Sequence, residues 1–334
     1  MNDIWHFLRE FESKDLVKQY IKTKFGYEIN TSKATEITSA FKQGRSYFES
    51  VVSADVSVKP LLQYYGIVAL SRGLILILNR DSRENNIFPS HGLKINNWTD
   101  ISCTGKFENI IVKSSSGTFK ELLKATNNKS YFRAKSSGIN WHAEYVIFTG
   151  EYEFSLKELS YSYPDLKKSV KAWLGESVPS YELDKLKHAG DKTIVEAIGK
   201  GNFEEIFPEH IYKNRKIEET DRITKITFES NVPPHLSQKW SSTFQVIGDP
   251  YLIPPFNGFF FLNDISKMFA TSFIFGTISR YYPTAWNNIT SGIKDDRILP
   301  FSINLMDFLQ EKYPQIIMDF INSPYVFESN NTNN

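Results

Sequence analysis

The stretch "SVKPLLQYYGIVALSRGLILIL", residues 57–78, is the longest apolar run of the chain and decides how we expect it to fold. Pro60 suits the first turn of a helix, and Ser57 can cap it. Apolar residues on nearly every side of this helix predict a position at the centre of a core. Arg72 interrupts the run, and an arginine near the middle of a membrane span costs about 2.5–3.5 kcal/mol. We therefore expect a buried helix of a soluble protein, with no membrane partner.

Composition narrows the class of protein. The 334 residues are 41% hydrophobic and 15% aromatic, which is enough for a large core. Lysines and arginines number 39 and acidic residues 38, so net charge creates no long-range attraction to nucleic acid or to a membrane. The single cysteine, Cys103, excludes an internal disulfide framework and a thiolate zinc cluster. The N-terminus lacks the order of a secretory signal, and these features together predict a cytoplasmic protein.

Periodicity predicts an α+β fold in which helical N- and C-terminal parts pack together around a small, mostly antiparallel sheet in the middle. Helical spacing dominates residues 1–94. Alternating apolar residues and turn signals mark a mixed region over 95–255, although residues 176–215 within it are polar and hard to interpret. Helical patterns return over 256–325, and a polar, disordered tail follows at 326–334.

Shorter elements are predicted within the middle region. "ENIIVK", "DRITKITFES" and "TFQVIGDPYLIPP" have the pattern of strands, whereas "GTFKELLKAT" and "YPDLKKSVKAWLG" have the pattern of helices. Gly175 is expected to end the second of these helices.

Several kinds of chemistry lack their motif. No glycine-rich phosphate loop, spaced glycine triplet or Gly-x-Ser-x-Gly elbow occurs. Asp165 and Lys167 have the spacing used by metal-dependent nucleases, but they stand at the start of a predicted helix. The six histidines are scattered, so we predict no metal site and no cofactor; a site assembled by folding from distant ligands is the alternative, and elemental analysis would test it.

His91 follows the long helix in "NRDSRENNIFPSHG", with Arg80 and Arg83 upstream. A histidine that moves a proton and an arginine that stabilises a charged phosphate would suit phosphodiester cleavage, which makes these three the candidate catalytic residues. The structural alternative is a turn in which Gly92 has a positive φ and His91 bonds to backbone.

A second dense group is "SRYYPTAW", residues 279–286, at the end of another apolar helix. Aromatic and arginine side chains together stack bases and hold phosphates. The structural alternative is packing at a helix kink, with Arg280 bonding to the carbonyls freed there. The candidate nucleic-acid-binding residues are Arg72, Arg280, Tyr281, Tyr282 and Trp286.

These motifs carry a resemblance to a known family. The run at 57–78, the "HGL" after it, "SGTFKELL" and "SRYYPTAW" occur in an order that resembles the YaaC-like family of bacterial proteins. The resemblance spans most of the chain and implies a similar length, but it implies no particular activity.

A second resemblance concerns the helix with paired tyrosines followed by a polar break and His-Gly, which is similar to the helical core of HEPN proteins. Nucleases of that superfamily cut RNA without metal through an arginine and a histidine, and other members bind nucleotides or partners. The resemblance implies these roles for His91 with Arg80 or Arg83. This chain departs from the motif because Arg83 lies farther upstream than usual and Pro89 intervenes.

Two functions follow as hypotheses. The first is binding of RNA or a nucleotide, or metal-independent ribonuclease activity; the second is a non-catalytic protein that docks a protein partner within a complex. The sequence does not predict the oligomeric state. A nucleic-acid protein should show a continuous basic face, and a docking protein should show an exposed apolar patch. The basic face would gather Arg72, Arg80, Arg83, Lys94 and Arg280.

Overall fold

The protein is described by a computed structural model over residues 2–133, 135–230, 242–244, 250–293 and 296–323. The tail predicted at 326–334 and residues 245–249 of the third predicted strand lie outside these described residues. The helices are α1 (Asn2–Leu8), α2 (Lys14–Phe25), α3 (Thr31–Ser53), α4 (Lys59–Leu78), α5 (Trp98–Thr104), α6 (Thr118–Ala125), α7 (Leu156–Tyr161), α8 (Lys167–Leu174), α9 (Phe203–Ile206), α10 (Asp264–Tyr281), α11 (Pro283–Thr290) and α12 (Ile298–Asn322). The strands are β1 (His91–Ile95), β2 (Ile111–Gly117), β3 (Lys129–Phe132), β4 (Trp141–Glu144), β5 (Glu153–Ser155), β6 (Tyr181–Ala189), β7 (Lys192–Ile198), β8 (Lys216–Glu219), β9 (Ile223–Glu229), β10 (Ser242–Phe244) and β11 (Pro250–Leu252).

Helix α4 is the central element, as its apolar sequence predicts. It packs against α3 from the N-terminal part and against α10 and α12 from the C-terminal part, which confirms the predicted association of the two helical ends. In the described chain α4 is the one helix long and apolar enough to cross a membrane, and 67% of its apolar stretch is buried inside the protein. The α+β class is therefore confirmed, with α4 at the centre of the helical core.

The start of α4 differs from the prediction in one detail. Pro60 stands in its first turn, but the residue before the helix is Val58 rather than Ser57, and no side chain caps it. The carbonyl of Asp55 accepts hydrogen bonds from the backbone N–H groups of Val58 and Lys59, so the turn itself satisfies these donors. The prediction of a Ser57 cap was therefore wrong.

Glycines allow α3 and α4 to approach closely in an antiparallel arrangement. A Cβ atom at Gly66 would lie 2.7 Å from the ring of Phe48, and one at Gly73 would lie 2.7 Å from the ring of Phe41. The N-terminal end of α3 consequently lies beside the C-terminal end of α4. Two different regions form at the two ends of this helix pair.

The strands of the described residues form three antiparallel sheets rather than one. The first has the order β1-β2-β5, the second pairs β3 with β4, and the third has the order β10-β11-β6-β7-β9-β8. The predicted strands and helices of the middle region are present as β2, α6, α8 and β9, and α8 ends at Gly175 with a φ of 71°. The six-stranded sheet includes much of the stretch that the sequence pattern left uninterpreted.

The six-stranded sheet has a hydrophobic core of its own, separate from the helical core. Alternate residues of β7 and β9, such as Val195 and Ile226, are fully buried. They pack with Phe203, Ile206 and Phe207 of the segment around α9. The other face of the sheet is half-exposed or exposed, as the period-2 pattern requires.

Candidate functional site

His91 is the first residue of β1, and its ring is half-buried against the helical core. The ring centroid lies 5.1 Å from that of Tyr64 on α4, in an edge-to-face arrangement, and 6.1 Å from that of Phe273 on α10. Neither ring nitrogen has a hydrogen-bond partner among the described residues. His91 therefore presents free nitrogens at the junction of β1, α4 and α10.

The backbone around His91 has the positive-φ glycine that the turn hypothesis predicts. Gly92 has a φ of 77°, and the Ser90 hydroxyl accepts from the Gly92 N–H and donates to the carbonyl of Ser116. A Cβ atom at Gly117 on β2 would lie 2.5 Å from the Gly92 nitrogen, so the two glycines allow β1 and β2 to meet here. The tight backbone orients β1, while the His91 ring packs on aromatic side chains rather than bonding to backbone.

Arg280, in the last turn of α10, is close enough for its charge to act on the pKa of this histidine. Its guanidinium donates a hydrogen bond to the Tyr65 hydroxyl, and the guanidinium carbon lies 5.8 Å from the Tyr65 ring centroid and 4.8 Å from the Tyr281 ring centroid. The Tyr65 ring in turn stacks on Tyr47 of α3, with the centroids 5.7 Å apart. We call Tyr47, Tyr65, Arg280 and Tyr281 the Arg280 cluster.

Close helix packing positions the Arg280 cluster. A Cβ atom at Gly276 would lie 2.8 Å from the Tyr64 Cβ, so this glycine allows α10 to lie directly on α4. The end of α10 is also tied to the segment before α4, because the Ser279 hydroxyl donates to the Ser57 carbonyl over 2.8 Å. These contacts place Arg280 above the paired tyrosines of α4.

The electrostatics of the site favour an anion. Burial, and then the positive charge of Arg280, lower the pKa of His91 below its ordinary value of 6.5, so the ring is neutral at pH 7. Within the described chain, Arg280 forms no ion pair with a carboxylate, and no group of three histidine, cysteine or acidic residues has the geometry to hold a metal ion. The region therefore combines an uncompensated guanidinium with a neutral imidazole.

Tyr64 adds a further unsatisfied group. Its side chain is 3% exposed, and its buried hydroxyl has no hydrogen-bond partner. Burial raises the pKa of this phenol well above its ordinary value, so the group is a neutral hydroxyl. A buried polar group without a partner costs about 1–3 kcal/mol, so the hydroxyl of Tyr64 is available to a ligand or a water molecule that reaches it. We call His91, Tyr64 and the Arg280 cluster together the His91–Arg280 site.

A family model for YaaC-like proteins matches residues 9–321, which include every residue of the His91–Arg280 site. The chain belongs to the YaaC-like family. Comparison with curated proteins and comparison with solved structures each found no match. Membership therefore identifies the family of this chain, and the chemistry of the site has to be inferred from its own residues.

The two arginines predicted to be catalytic, Arg80 and Arg83, lie elsewhere in this YaaC-like protein. The Arg83 guanidinium binds the Glu36 carboxylate of α3, with its Nε 3.1 Å from both carboxylate oxygens, and its Nη2 donates to the Ser32 hydroxyl over 2.7 Å. The Arg80 guanidinium lies over the ring of Tyr27, 5.0 Å from its centroid. The structure brings neither arginine into contact with His91.

The separation follows from the path of the chain. The rise from Tyr64 to Leu78 along α4 is about 20 Å, at 1.5 Å per residue. Arg83 follows the C-terminal end of α4, and the segment from there to His91 returns along the helix to reach Tyr64. Eight residues span at most about 29 Å when extended, which is enough for this return. The HEPN resemblance is not confirmed, because His91 begins a strand instead of sharing a helix with an arginine.

The remaining predicted nucleic-acid-binding residues differ in how accessible their side chains are to a ligand. Tyr282 stacks on Trp98 of α5 with ring centroids 3.6 Å apart, next to the site. Trp286 is buried, and its Nε1 donates to the Val56 carbonyl over 2.9 Å, so it is a packing residue. Arg72 is half-buried two turns beyond Tyr65 on α4 and forms no ion pair within the described residues. Of the arginines expected to share one basic face, Arg80 and Arg83 follow the C-terminal end of α4, whereas Arg280 lies at Tyr65 in its first half.

Three tyrosines of the site were not predicted as site residues: Tyr47, Tyr64 and Tyr65. The signal that would have found the last two is "QYYG", where adjacent tyrosines in an aliphatic helix place one hydroxyl in the core and one at its edge. Tyr47 carries no comparable local signal, because its role depends on the packing of α3 against α4.

Proposed function

We propose that this YaaC-like protein binds RNA or a nucleotide at the His91–Arg280 site. The observation that supports the proposal is the state of Arg280, which is exposed, held by two tyrosine rings and unpaired with any carboxylate of the described chain. A guanidinium in this state is suited to a phosphate, which it can bind through two N–H groups. The proposal goes with a cytoplasmic location, where such ligands are abundant.

The aromatic residues would contribute a second type of contact. Bases stack on tyrosine rings, and stacking contributes about 1–3 kcal/mol per base in single-strand binding proteins. The exposed ring of Tyr281 lies beside the guanidinium, so a base whose phosphate is bound by Arg280 would be within reach of this ring for stacking. Binding would therefore combine one strongly salt-dependent contact with one that salt affects little.

The same groups suit metal-independent cleavage of RNA. The neutral His91 would take the proton of a ribose 2′-hydroxyl, whose oxygen would bond to the adjacent phosphorus as the bond to the 5′-oxygen breaks. The products would be a 2′,3′-cyclic phosphate and a 5′-hydroxyl, whose proton would come from the protonated His91 or from water. Arg280 would stabilise the negative charge that develops on the phosphate oxygens. His91 would act as general base and Arg280 would take the phosphate-binding role that the sequence first suggested for Arg80 or Arg83.

The test is binding and cleavage of labelled RNA in EDTA, at low and at physiological salt, by wild type, His91→Ala and Arg280→Ala. Arg83→Ala is the matched control, since it removes an arginine that already has a carboxylate partner. We expect Arg280→Ala to weaken binding at least tenfold and Arg83→Ala to leave it within twofold, with His91→Ala removing any cleavage. Wild type that neither binds nor cuts RNA or nucleotides at low salt would overturn the proposal.

One observation favours the alternative function, docking of a protein partner. Three consecutive apolar side chains after β4, Val146, Ile147 and Phe148, are exposed by 54%, 39% and 46%. A run of this kind is typical of a docking surface. Cross-linking of the complete protein to a defined partner, lost in Ile147→Lys and retained in Arg280→Ala, would favour docking over RNA binding.

A further inference from the structure

The Arg280 cluster ends on an open aromatic ring. Tyr47 stacks on Tyr65, the Arg280 guanidinium contacts the ring of Tyr65, and the same guanidinium covers the ring of Tyr281. Tyr281 is 59% exposed, and in the described chain its ring has no aromatic neighbour. Tyr65 and Arg280 each contact two members of the cluster, whereas Tyr281 contacts only the Arg280 guanidinium among them.

We propose that the site binds a single-stranded nucleic acid, with one unpaired base stacked on Tyr281 and the adjoining phosphodiester on Arg280. This inference rests on the proposed function and names the class of ligand. It distinguishes the single strand from two other ligands of similar chemistry, a duplex and a free nucleoside triphosphate.

The aromatic geometry opposes a duplex. In a duplex each base is paired and stacked between its neighbours, so a side chain has no access to a base face unless the stack opens. A single strand offers that face without such a cost. Arg280 is next to Tyr281 in sequence and in space, so the two side chains match one base and its own phosphate rather than distant parts of a helix.

The charge of the site opposes a triphosphate. The positive charge that influences both His91 and Tyr64 is that of Arg280. A triphosphate carries several negative charges, which proteins usually match with a lysine, a magnesium ion and a loop of backbone N–H groups. Among the described residues, the one cation that contacts the ring of Tyr281 is the Arg280 guanidinium, and a single guanidinium matches the single negative charge of one phosphodiester.

The experiment compares three probes on the complete protein at low salt: a fluorescein-labelled single-stranded RNA of twelve adenosines, the same strand annealed to its complement, and unlabelled ATP as competitor. The variants are Tyr281→Leu, Tyr281→Phe and, as a matched tyrosine elsewhere, Tyr27→Leu. Thermal melting checks that each variant is folded.

We expect the single strand to bind at least tenfold more tightly than the duplex, and ATP to compete only at much higher concentration. Tyr281→Leu should weaken single-strand binding by about 5- to 100-fold, since the base loses its stacking partner. Tyr27→Leu should stay within twofold of wild type, and Tyr281→Phe should lose much less affinity than Tyr281→Leu. The phenylalanine variant retains the ring, so it separates stacking from loss of the hydroxyl.

The outcomes separate this inference from the proposed function. Binding that depends on Arg280 but is equal for duplex and single strand, or is unchanged in folded Tyr281→Leu, would overturn the single-strand inference and leave RNA binding in place. The single-strand inference would also be overturned if ATP displaced the labelled RNA at concentrations lower than those at which the RNA itself binds. Absence of any binding by wild type would overturn the proposed function itself.

Discussion

The two ends of the α3–α4 pair each carry an arginine, and the two arginines are in opposite states. Arg83 binds Glu36 through two nitrogens, and the carboxylate also accepts the backbone N–H of Glu84. Arg280 contacts tyrosine rings and one hydroxyl, with no carboxylate partner in the described residues. The first arginine is satisfied within the protein, whereas most N–H groups of the second have no hydrogen-bond partner in the described residues.

The neighbouring cations extend the contrast. Lys33, close to Arg83, is buried and donates to the carbonyl of Asn79 over 2.8 Å and to that of Arg80. Burial, helped by the charge of Arg83, lowers the pKa of Lys33 to about 8. Cations at this end therefore fasten the chain where it leaves α4. The comparison shows that the arginines nearest to His91 in sequence are bound within the protein, whereas the uncompensated arginine comes from a distant helix.

The largest expected effect tests what Arg280 does beyond carrying charge. Arg280→Lys retains the positive charge but loses the planar group that stacks on tyrosine and binds phosphate with two N–H groups. We expect RNA affinity to fall about tenfold, which corresponds to about 1.4 kcal/mol. Fluorescence anisotropy at low salt measures it. Arg83→Lys is the control, and equal losses in the two variants would remove the distinction between the regions.

A smaller effect on stability is expected at the other end. Glu36→Gln leaves the half-buried Arg83 without its carboxylate, and the free energy of unfolding should fall by about 1 kcal/mol, because the pair is bidentate but partly exposed. Urea unfolding measures the change. Glu28→Gln, which breaks the exposed Lys22–Glu28 pair, should leave stability nearly unchanged. Weaker RNA binding by folded Glu36→Gln would contradict the assignment of this end to structure.

The pH dependence of stability should report the environment of His91. Because the folded protein has the lower pKa, the unfolded chain binds more protons between that pKa and 6.5. Stability should therefore decrease as pH falls from 7 through 6.5 toward the lowered value. Unfolding at pH 7 and pH 5 should show a greater decrease in wild type than in His91→Phe. Equal decreases would show that His91 titrates as it does in an unfolded chain.

The smallest effect concerns Arg80. Arg80→Ala removes a cation–π contact with Tyr27, which contributes about 0.5–1 kcal/mol when it is exposed. The hydrogen bond from Lys33 is to the Arg80 backbone carbonyl and survives the substitution. We expect a correspondingly small loss of stability in urea unfolding and unchanged RNA binding. A tenfold loss of affinity would instead assign Arg80 to the ligand site.

Much of the fold was predictable because it depends on local patterns. The aliphatic run of α4 requires burial wherever it lies, and the glycine after His91 indicates a backbone that other residues rarely adopt. Strands β6 and β7, in the polar stretch before α9, were not predicted from the sequence. Charged residues on the exposed face of β6 obscure the alternation of polar and apolar residues that indicates a strand. No local pattern in the sequence predicted that the charge of Arg280 acts on His91. The position of Arg83 close to His91 in sequence suggested Arg83 as the partner instead.

The sequence by itself determined that α4 is central, that the chain is an α+β protein with associated helical ends, and that its motifs resemble those of the YaaC-like family. Only the tertiary structure decided which arginine's charge acts on His91. Tyr65 and Arg280 are 215 positions apart and meet because Gly276 lets α10 lie directly on α4. Helical periodicity and apolar content are properties of neighbouring residues, whereas the compensation of a charge depends on which distant side chains the packing brings within reach.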